Sequence, residues 1–539
     1  MMKKIYYEAE AREKVLAGSK KLYDAVKVTF GPKGKNVVIE KQYGAPVITH
    51  DGVTVAEAVE LGSTEENLGE EVGAKLIKTA AQKLNKVAGD GTTTVTVLTY
   101  EILNEANKLI VAGVNPMELR KGIEKAGAEI IKGIDKLAEK IDGNDSKVAE
   151  VATISAGDAE IGTLIAEVIS KIGKDGVVTV EAGQGLEMEQ EIVEGFSYDK
   201  GYSSPFFVTD VNRQEAVFDK PAILVTDKKI SSSSDILPLL EKCAQAGQKD
   251  LVIIAEEVEG EALSLLVLNK LKGVFNSLVL KAPAFGDRRK ETMEDIAILT
   301  GATLVSADRG LKLEEAGLDV LGSAGKVIAE KDSTTIIKGA GDKKALRARI
   351  ELIKSQAEMA TSDYEREQFE KRAAALEGKV AIIKVGGATE TEIDEKKFRV
   401  DDAVAATKSA LSDGIVPGGG VTLVNLAGEL KDTDDGARIV KNALKRPFVH
   451  ILENAGLNAQ ALLAEVEKAK PGYGINVMEP NKGVIDLKKA GVIDPARVTK
   501  EAVKNAISIS ATAITMGALI CEIPEKEPEA PAGSMGGMY

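Results

Sequence analysis

Tryptophan is absent from the chain and aromatic residues make up only 4% of it, so its cores must be built mainly from Val, Ile, Leu and Ala. Cysteine occurs twice, at Cys243 and Cys521, too few and too far apart for a disulfide framework or a thiolate metal cluster. A reducing, cytoplasmic setting fits that usage. His50 and His450 are the two histidines, which leaves little material for a zinc site or a Ser-His-Asp triad. No run of about 18 uncharged apolar residues is present, so no helical membrane span is expected. Lys3, Lys4, Glu8, Glu10, Arg12 and Glu13 interrupt the first stretch, and no signal peptide is expected there. A net charge of −14 argues against a large nucleic-acid footprint. Neither a P-loop nor a complete Gly-x-Gly-x2-Gly occurs.

What is present is ordinary globular material: 539 residues, 44% hydrophobic and 29% charged. At about 150 residues per domain this implies three or four domains. The most informative stretch is Gly89-Asp90-Gly91-Thr92-Thr93-Thr94. Leu68, Val72, Leu76, Ala80, Leu84 and Ala88 precede it at a spacing of four, and Leu98, Ile102, Ala106 and Ile110 follow. The spacing predicts helix, tight turn, helix. Free N–H groups at the second helix start suit phosphate, and Asp90 could meet a phosphate-bound Mg²⁺. The same residues also make an ordinary turn and N-cap, and that alternative stays open.

Earlier, residues 9–29 read as a helix. Gly31-Pro32-Lys33-Gly34 follows as a turn, and Val37–Ile39 with Pro46–Ile48 as a hairpin. Asn115-Pro116 reads as an N-cap with proline at the first helical position. Asp142 to Ser146 marks a candidate domain edge. From 195 to 380 strands near 222–226, 251–255, 278–280 and 303–306 alternate with helices at 235–246, 259–272 and 290–300, the pattern of an α/β module. The helix at 259–272 is apolar nearly all round, so it is either buried on every side or leaves one face for a partner. Residues 342–377 read as a charged helical hairpin broken at Thr361-Ser362-Asp363. Asp401-Asp402 reads as the opening of a helix ending at Gly414, and Glu522 to Tyr539 as a disordered tail.

In order along the chain stand Thr29-Phe-Gly-Pro-Lys-Gly34, Thr49-His-Asp-Gly52, Gly89-Asp-Gly-Thr-Thr-Thr94, Ala112-Gly-Val-Asn-Pro-Met117, Lys281-Ala-Pro-Ala-Phe-Gly-Asp-Arg-Arg289, Thr361-Ser-Asp-Tyr364, Val400-Asp-Asp-Ala403, Pro417-Gly-Gly-Gly420 and Asp494-Pro495. By these motifs the chain resembles the large subunit of the group I, GroEL-like chaperonins over nearly its whole length. The resemblance implies a multi-domain α and α/β protein. An all-helical equatorial ATPase domain would comprise 1–137 and 414–523, a small α/β intermediate domain 138–194 and 381–413, and an α/β apical domain 195–380, with 524–539 a tail. It implies an ATP-dependent chaperone working as a heptameric ring, in the family usually doubled, with non-native client proteins and a co-chaperonin ring as partners.

Carried over residue by residue, nucleotide contacts fall on Thr29, Phe30, Gly31, Pro32, His50, Asp90, Gly91, Thr92, Thr93, Thr94, Gly419, Asn476, Val477, Met478 and Asp494. Asp90 matches the Mg²⁺ ligand, and the backbone near Thr29 and His50 the K⁺ site. Asp402 matches the carboxylate that positions the attacking water, with Asp51 in support. Tyr202, Ser204, Phe206, Phe207, Leu237, Leu240, Leu263, Val267, Leu268 and Asn269 match the surface that binds client and co-chaperonin. The sequence departs from the family at His50, usually Lys, and at Val477-Met478, usually two Ala. The helix at 64–88 reads about one turn longer, and the charged inter-ring pair is missing near Val449 and Asn458. Two other classes of function compete: a small-molecule kinase, and a ring scaffold without useful ATPase.

Overall fold

The computed structural model describes residues 3–523 except 41–45, 63–66, 142–143, 174–175, 184, 212, 285 and 361. The expected disordered tail, the turn at Asp142 and the break at Thr361 lie wholly or partly outside the described residues. The chain forms two compact units. One comprises residues up to Ser170, Ala182–Glu187 and Val385 onward; the other Lys171–Glu181 and Met188–Lys384. The segments expected to make an intermediate domain are distributed between these units.

The first unit is mostly helical. Its principal core lies among helices Glu70–Ala88, Thr92–Val111, Pro116–Leu137, Val421–Glu429, Asp435–Ala443 and Ala496–Ala513. Local chemistry sets their ends. Asn115 accepts a hydrogen bond from the Met117 amide, with Pro116 at the first helical position where no N–H is needed. Among the described residues four short two-stranded antiparallel ladders occur between helices. Val37–Ile39 pairs with Val47–Thr49 as the alternation predicts, and Ile415–Pro417 pairs with Ile493–Pro495. Lys3–Tyr7 pairs with Ala518–Glu522, which brings two segments more than 500 residues apart into one ladder.

Two expectations are corrected here. The helix expected from residue 64 begins at Glu70, because Gly69 takes a left-handed conformation (φ 94°) and ends the preceding turn. Asp401-Asp402 does not open a helix. The helix runs Glu390–Asp413, with Thr389 as its N-cap accepting from the Glu392 amide. The charged first half, which lacks a clear apolar stripe, hid that start.

The second unit is built on a mixed sheet of nine strands among the described residues. Ala222–Ile230, Asp250–Val258 and Asn276–Lys281 run parallel, joined by helices Ser233–Gln245 and Gly260–Leu271. Glu189–Tyr198, Gly322–Ala329, Thr334–Gly339 and Lys379–Val385 extend the sheet antiparallel. The parallel strands are buried on both faces, which explains their uninterrupted Val, Ile and Leu. The strand expected at Thr303–Ser306 is a single bridge between Val305 and Thr226, since the backbone then turns into a short 3₁₀ segment at Ala307–Arg309. Lys343–Met359 and Asp363–Leu376 form the expected helical hairpin. Asp295, fully buried, holds Arg349 and Arg372 at 2.6 Å each and ties that hairpin to helix Asp287–Thr300.

Candidate functional site

In the first unit, helix Glu70–Ala88 ends at Gly89 and helix Thr92–Val111 begins after Gly91, both glycines left-handed at φ 72° and 87°. The Gly89 amide donates to the Asn85 carbonyl at 2.8 Å. A Cβ at Gly89 would stand 2.0 Å from the Ala405 Cβ, so helix Glu390–Asp413 lies directly on the turn. Ser409 Oγ donates to the Ala88 carbonyl at 3.2 Å and holds the two together. Asp402 comes from that overlying helix.

Asp90 sits between the two glycines. Its Oδ1 accepts from the Gly91 amide at 2.5 Å and its Oδ2 from Ser155 Oγ at 3.1 Å. Asp51 caps helix Gly52–Ala58, accepting from the Val53 and Thr54 amides at 3.1 and 2.7 Å and from Thr54 Oγ1 at 2.6 Å. Gly52 lies against the triple-threonine start: a Cβ there would be 2.3 Å from Thr93 Oγ1 and 3.2 Å from Thr92 Oγ1. Asp494 stands opposite Val416 in the ladder, and a Cβ at Gly418 would be 2.9 Å from its Oδ1. Four segments remote in sequence thus deliver Asp51, Asp90, Asp402 and Asp494 to one place.

The carboxylates perturb one another. Burial raises Asp402 well above the usual carboxylate range, and Asp51, Asp90 and Asp401 add to it. Burial pushes Asp494 up to about 7, with Asp90 contributing. Asp90 is raised by burial and by Asp51, although its bonds from Gly91 and Ser155 oppose the shift. Crowded carboxylates beside free helix N-terminal amides form a site for a cation together with an anion. Among the described residues no group of three His, Cys, Asp or Glu side chains is arranged to hold a metal. Carboxylate oxygens beside a helix N-terminus are the donor type that Mg²⁺ takes alongside phosphate oxygens and water.

Other expected contacts lie around this centre. Thr29 is buried and its Oγ1 donates to the Val26 carbonyl at 2.9 Å, so its hydroxyl is spent locally. The turn after it closes with Gly34 N–H donating to the Gly31 carbonyl at 2.9 Å. The Thr29 carbonyl and His50 flank Gly34: a Cβ there would meet them at 2.2 and 2.7 Å. Gly419 (φ 63°) follows the Gly418–Asp494 contact. Asn476 Oδ1 accepts from the Met478 amide at 3.0 Å, and Met478 is exposed. Val477 is corrected as a pocket-lining side chain: it is buried in the core cluster with Phe448, Leu452 and Leu487. Ser155 and Asn454 were not legible beforehand, because neither stands in a motif and each acts across a long sequence separation.

The surface expected to bind other proteins lies in the second unit, and three of its members are corrected. Tyr202, Phe207 and Leu240 are core residues, at 5%, 0% and 6% exposure. The short 3₁₀ turn Pro205–Phe207 and helix Ser233–Gln245 turn Phe207 and Leu240 inward, and Tyr202 is drawn in by its bridge to Leu280. Phe206, Leu237 and Leu268 are exposed, at 62%, 41% and 50%. Ser204, Leu263, Val267 and Asn269 are half-buried, and Asn269 Nδ2 donates back to the Leu265 carbonyl. The all-round apolar helix is not buried on every side. Ala262 and Leu266 are buried, while Leu268, Leu271 and nearby Val274 face solvent.

The chain matches the TCP-1/cpn60 chaperonin family over residues 22–524. It also resembles the crystal structure of the chaperonin gp146 from the bacteriophage EL 2 (Pseudomonas aeruginosa), determined in presence of ATP-BeFx. That likeness has 22% identity, covers 97% of this chain and 99% of the phage chain, and has a TM-score of 0.68. At such identity it speaks for the fold alone. The family match and the motif order agree, and this chain belongs to the TCP-1/cpn60 chaperonin family as a GroEL-like, group I member with a chaperone function.

Proposed function

We propose that this chaperone is driven by ATP binding and hydrolysis at the Asp51–Asp90–Asp402–Asp494 cluster, and that its subunits assemble into heptameric rings, stacked in pairs, enclosing non-native proteins under a co-chaperonin. The observation that carries the proposal is the convergence of those four carboxylates on the amides at the start of helix Thr92–Val111. The helix N-terminus with Gly91 to Thr94 would receive phosphate oxygens. Asp90 would hold Mg²⁺, which when bound neutralises charge on the phosphates. The Thr29 carbonyl, which flanks Gly34, and the backbone of His50 would hold K⁺. Asp402 would orient the attacking water and, in its ionised form, accept its proton. Asp51 would support that water from its cap, and Asp494 would line the phosphate side.

Client proteins would bind on Phe206, Leu237, Leu268 and the neighbouring apolar side chains, since burial of apolar surface is non-directional and needs no client sequence. A small-molecule kinase would have no use for that face, and a passive scaffold none for the carboxylates. The test is the native mass of the purified protein with and without Mg²⁺-ATP, together with phosphate release. Ring-sized particles that hydrolyse ATP are expected. A monomer under both conditions would sink the chamber, and a ring without hydrolysis would leave only the scaffold.

A further inference from the structure

The loop at Thr29–Pro32 is gripped from the side by one helix. Asn454, the last residue of helix Arg446–Asn454, donates its Nδ2 to the carbonyls of Lys27 and Phe30, both at 2.9 Å. Ile451 presses on the same loop: a Cβ at Gly31 would be 3.2 Å from its side chain. That helix is in turn pinned by a buried polar cluster. Tyr23 OH donates to Glu101 Oε1 at 2.9 Å and lies 2.7 Å from His450 Nε2. Arg446 Nε donates to the same Glu101 oxygen at 3.1 Å, and His450 Nδ1 lies 2.7 Å from Glu453. The Tyr23 ring stacks on Tyr100 at 4.2 Å and meets His450 edge-on at 5.7 Å. Burial alone would raise Glu101, but the nearby His450 ring, 4.0 Å away, the charge of Arg446 and the bond from Tyr23 hold it below the usual carboxylate range.

A largely buried network of this kind resists displacement, because moving Tyr23 or Glu101 leaves a polar or charged group without its partner in a poorly solvated place. It joins helices Glu8–Val26, Thr92–Val111 and Arg446–Asn454. The first of these leads directly into the loop and the second begins at the triple threonine.

We propose that Asn454 is a positioning residue for the Thr29–Pro32 loop, and that the Tyr23–Glu101–His450–Arg446 cluster sets nucleotide affinity by holding the Asn454 helix against that loop without touching nucleotide. This rests on the reading of the loop as a nucleotide contact. The test uses the assembled full-length protein and measures ATP affinity and single-turnover hydrolysis at saturating ATP. Asn454→Asp keeps the shape and removes both donors, and should weaken ATP about tenfold with the saturated rate changed less than about twofold. Tyr23→Phe, the gentler variant, should shift affinity in the same direction. His450→Gln, which keeps an N–H donor, should bind ATP better than His450→Leu. Gly31→Val, which strains a residue at φ 78°, is the control for the loop itself. If Gly31→Val weakens ATP while Asn454→Asp and Tyr23→Phe bind like the parent, the positioning role is overturned. Affinity, saturated rate and melting temperature falling together in the Asn454 and Tyr23 variants would make the cluster merely structural and also overturn it. If Gly31→Val binds ATP normally, the loop is no nucleotide contact and both readings fall.

Discussion

Asp402 lies in the middle of a helix whose cap is Thr389, so its carboxylate has no role in capping that helix. Burial and the neighbouring carboxylates raise its pKa, so its ionised form costs stability. Asp402→Ala should therefore leave the melting temperature unchanged or higher and ATP affinity near normal. Single-turnover hydrolysis should fall on the order of 10²–10⁴-fold. Hydrolysis near the parent rate would remove Asp402 from the chemistry. Asp494 makes a separate prediction. An acid whose folded pKa exceeds its unfolded one binds its proton more tightly when folded. Its ionisation then costs stability, a cost absent below about pH 4 and complete above about 7. Without nucleotide, Asp494→Asn should melt above the parent at about pH 8, with the gap closing toward about pH 4 as the parent carboxyl protonates. A gap that does not change with pH would show that Asp494 is not the group titrating.

At the scale of elements, helix Gly260–Leu271 has two faces that a point substitution separates. Leu266 is fully buried, and Leu266→Ala should cost about 2–5 kcal/mol. Leu268 and Leu271 are 50% and 65% exposed, and changing both to Ser should alter stability by no more than about 0.5 kcal/mol each. The same double change should weaken capture of a denatured protein while sparing ATP hydrolysis, read by aggregation suppression. Unchanged suppression would move the client surface elsewhere. Leu263 and Val267, the pair favoured by the motif match, are less clean probes because both also pack on the core. The periodicity made the helix legible. The side facing solvent was not, because seven apolar residues around one circumference carry no orientation of their own.

At the scale of the molecule, the Met188–Lys384 segment contains a core drawn entirely from its own residues, from Phe196 to Leu376. Expressed alone it should unfold cooperatively in urea with near-native circular dichroism; a featureless melt would mean that it needs the rest of the chain. The first unit is different, since its parts come from both ends of the sequence. Lys3–Tyr7 and Ala518–Glu522 pair from Lys3 against Glu522 to Tyr7 against Ala518, with Tyr6, Leu519 and Cys521 buried. Removing residues 1–7 should lower the melting transition of that unit, as a strand and its buried side chains are lost together.

Sequence by itself determined the local grammar. Helix spans followed from the spacing of Val, Ile, Leu and Ala, the Asn115-Pro116 start from cap chemistry, and the Gly89–Gly91 turn from residues that accept positive φ. The ordered motifs also determined the family, because their combination is specific along the whole chain. Tertiary structure alone decided which residues meet. Asp51, Asp90, Asp402 and Asp494 are separated by up to hundreds of residues and share no periodicity, so only packing of Ala405 on Gly89 and of Asp494 on Gly418 brings them together. Packing likewise turned Tyr202, Phe207 and Leu240 into core and left Phe206 and Leu268 outside. The physical reason is common to both cases. Local propensity is a property of a few neighbouring residues, whereas burial and electrostatic coupling depend on what the rest of the chain places against them.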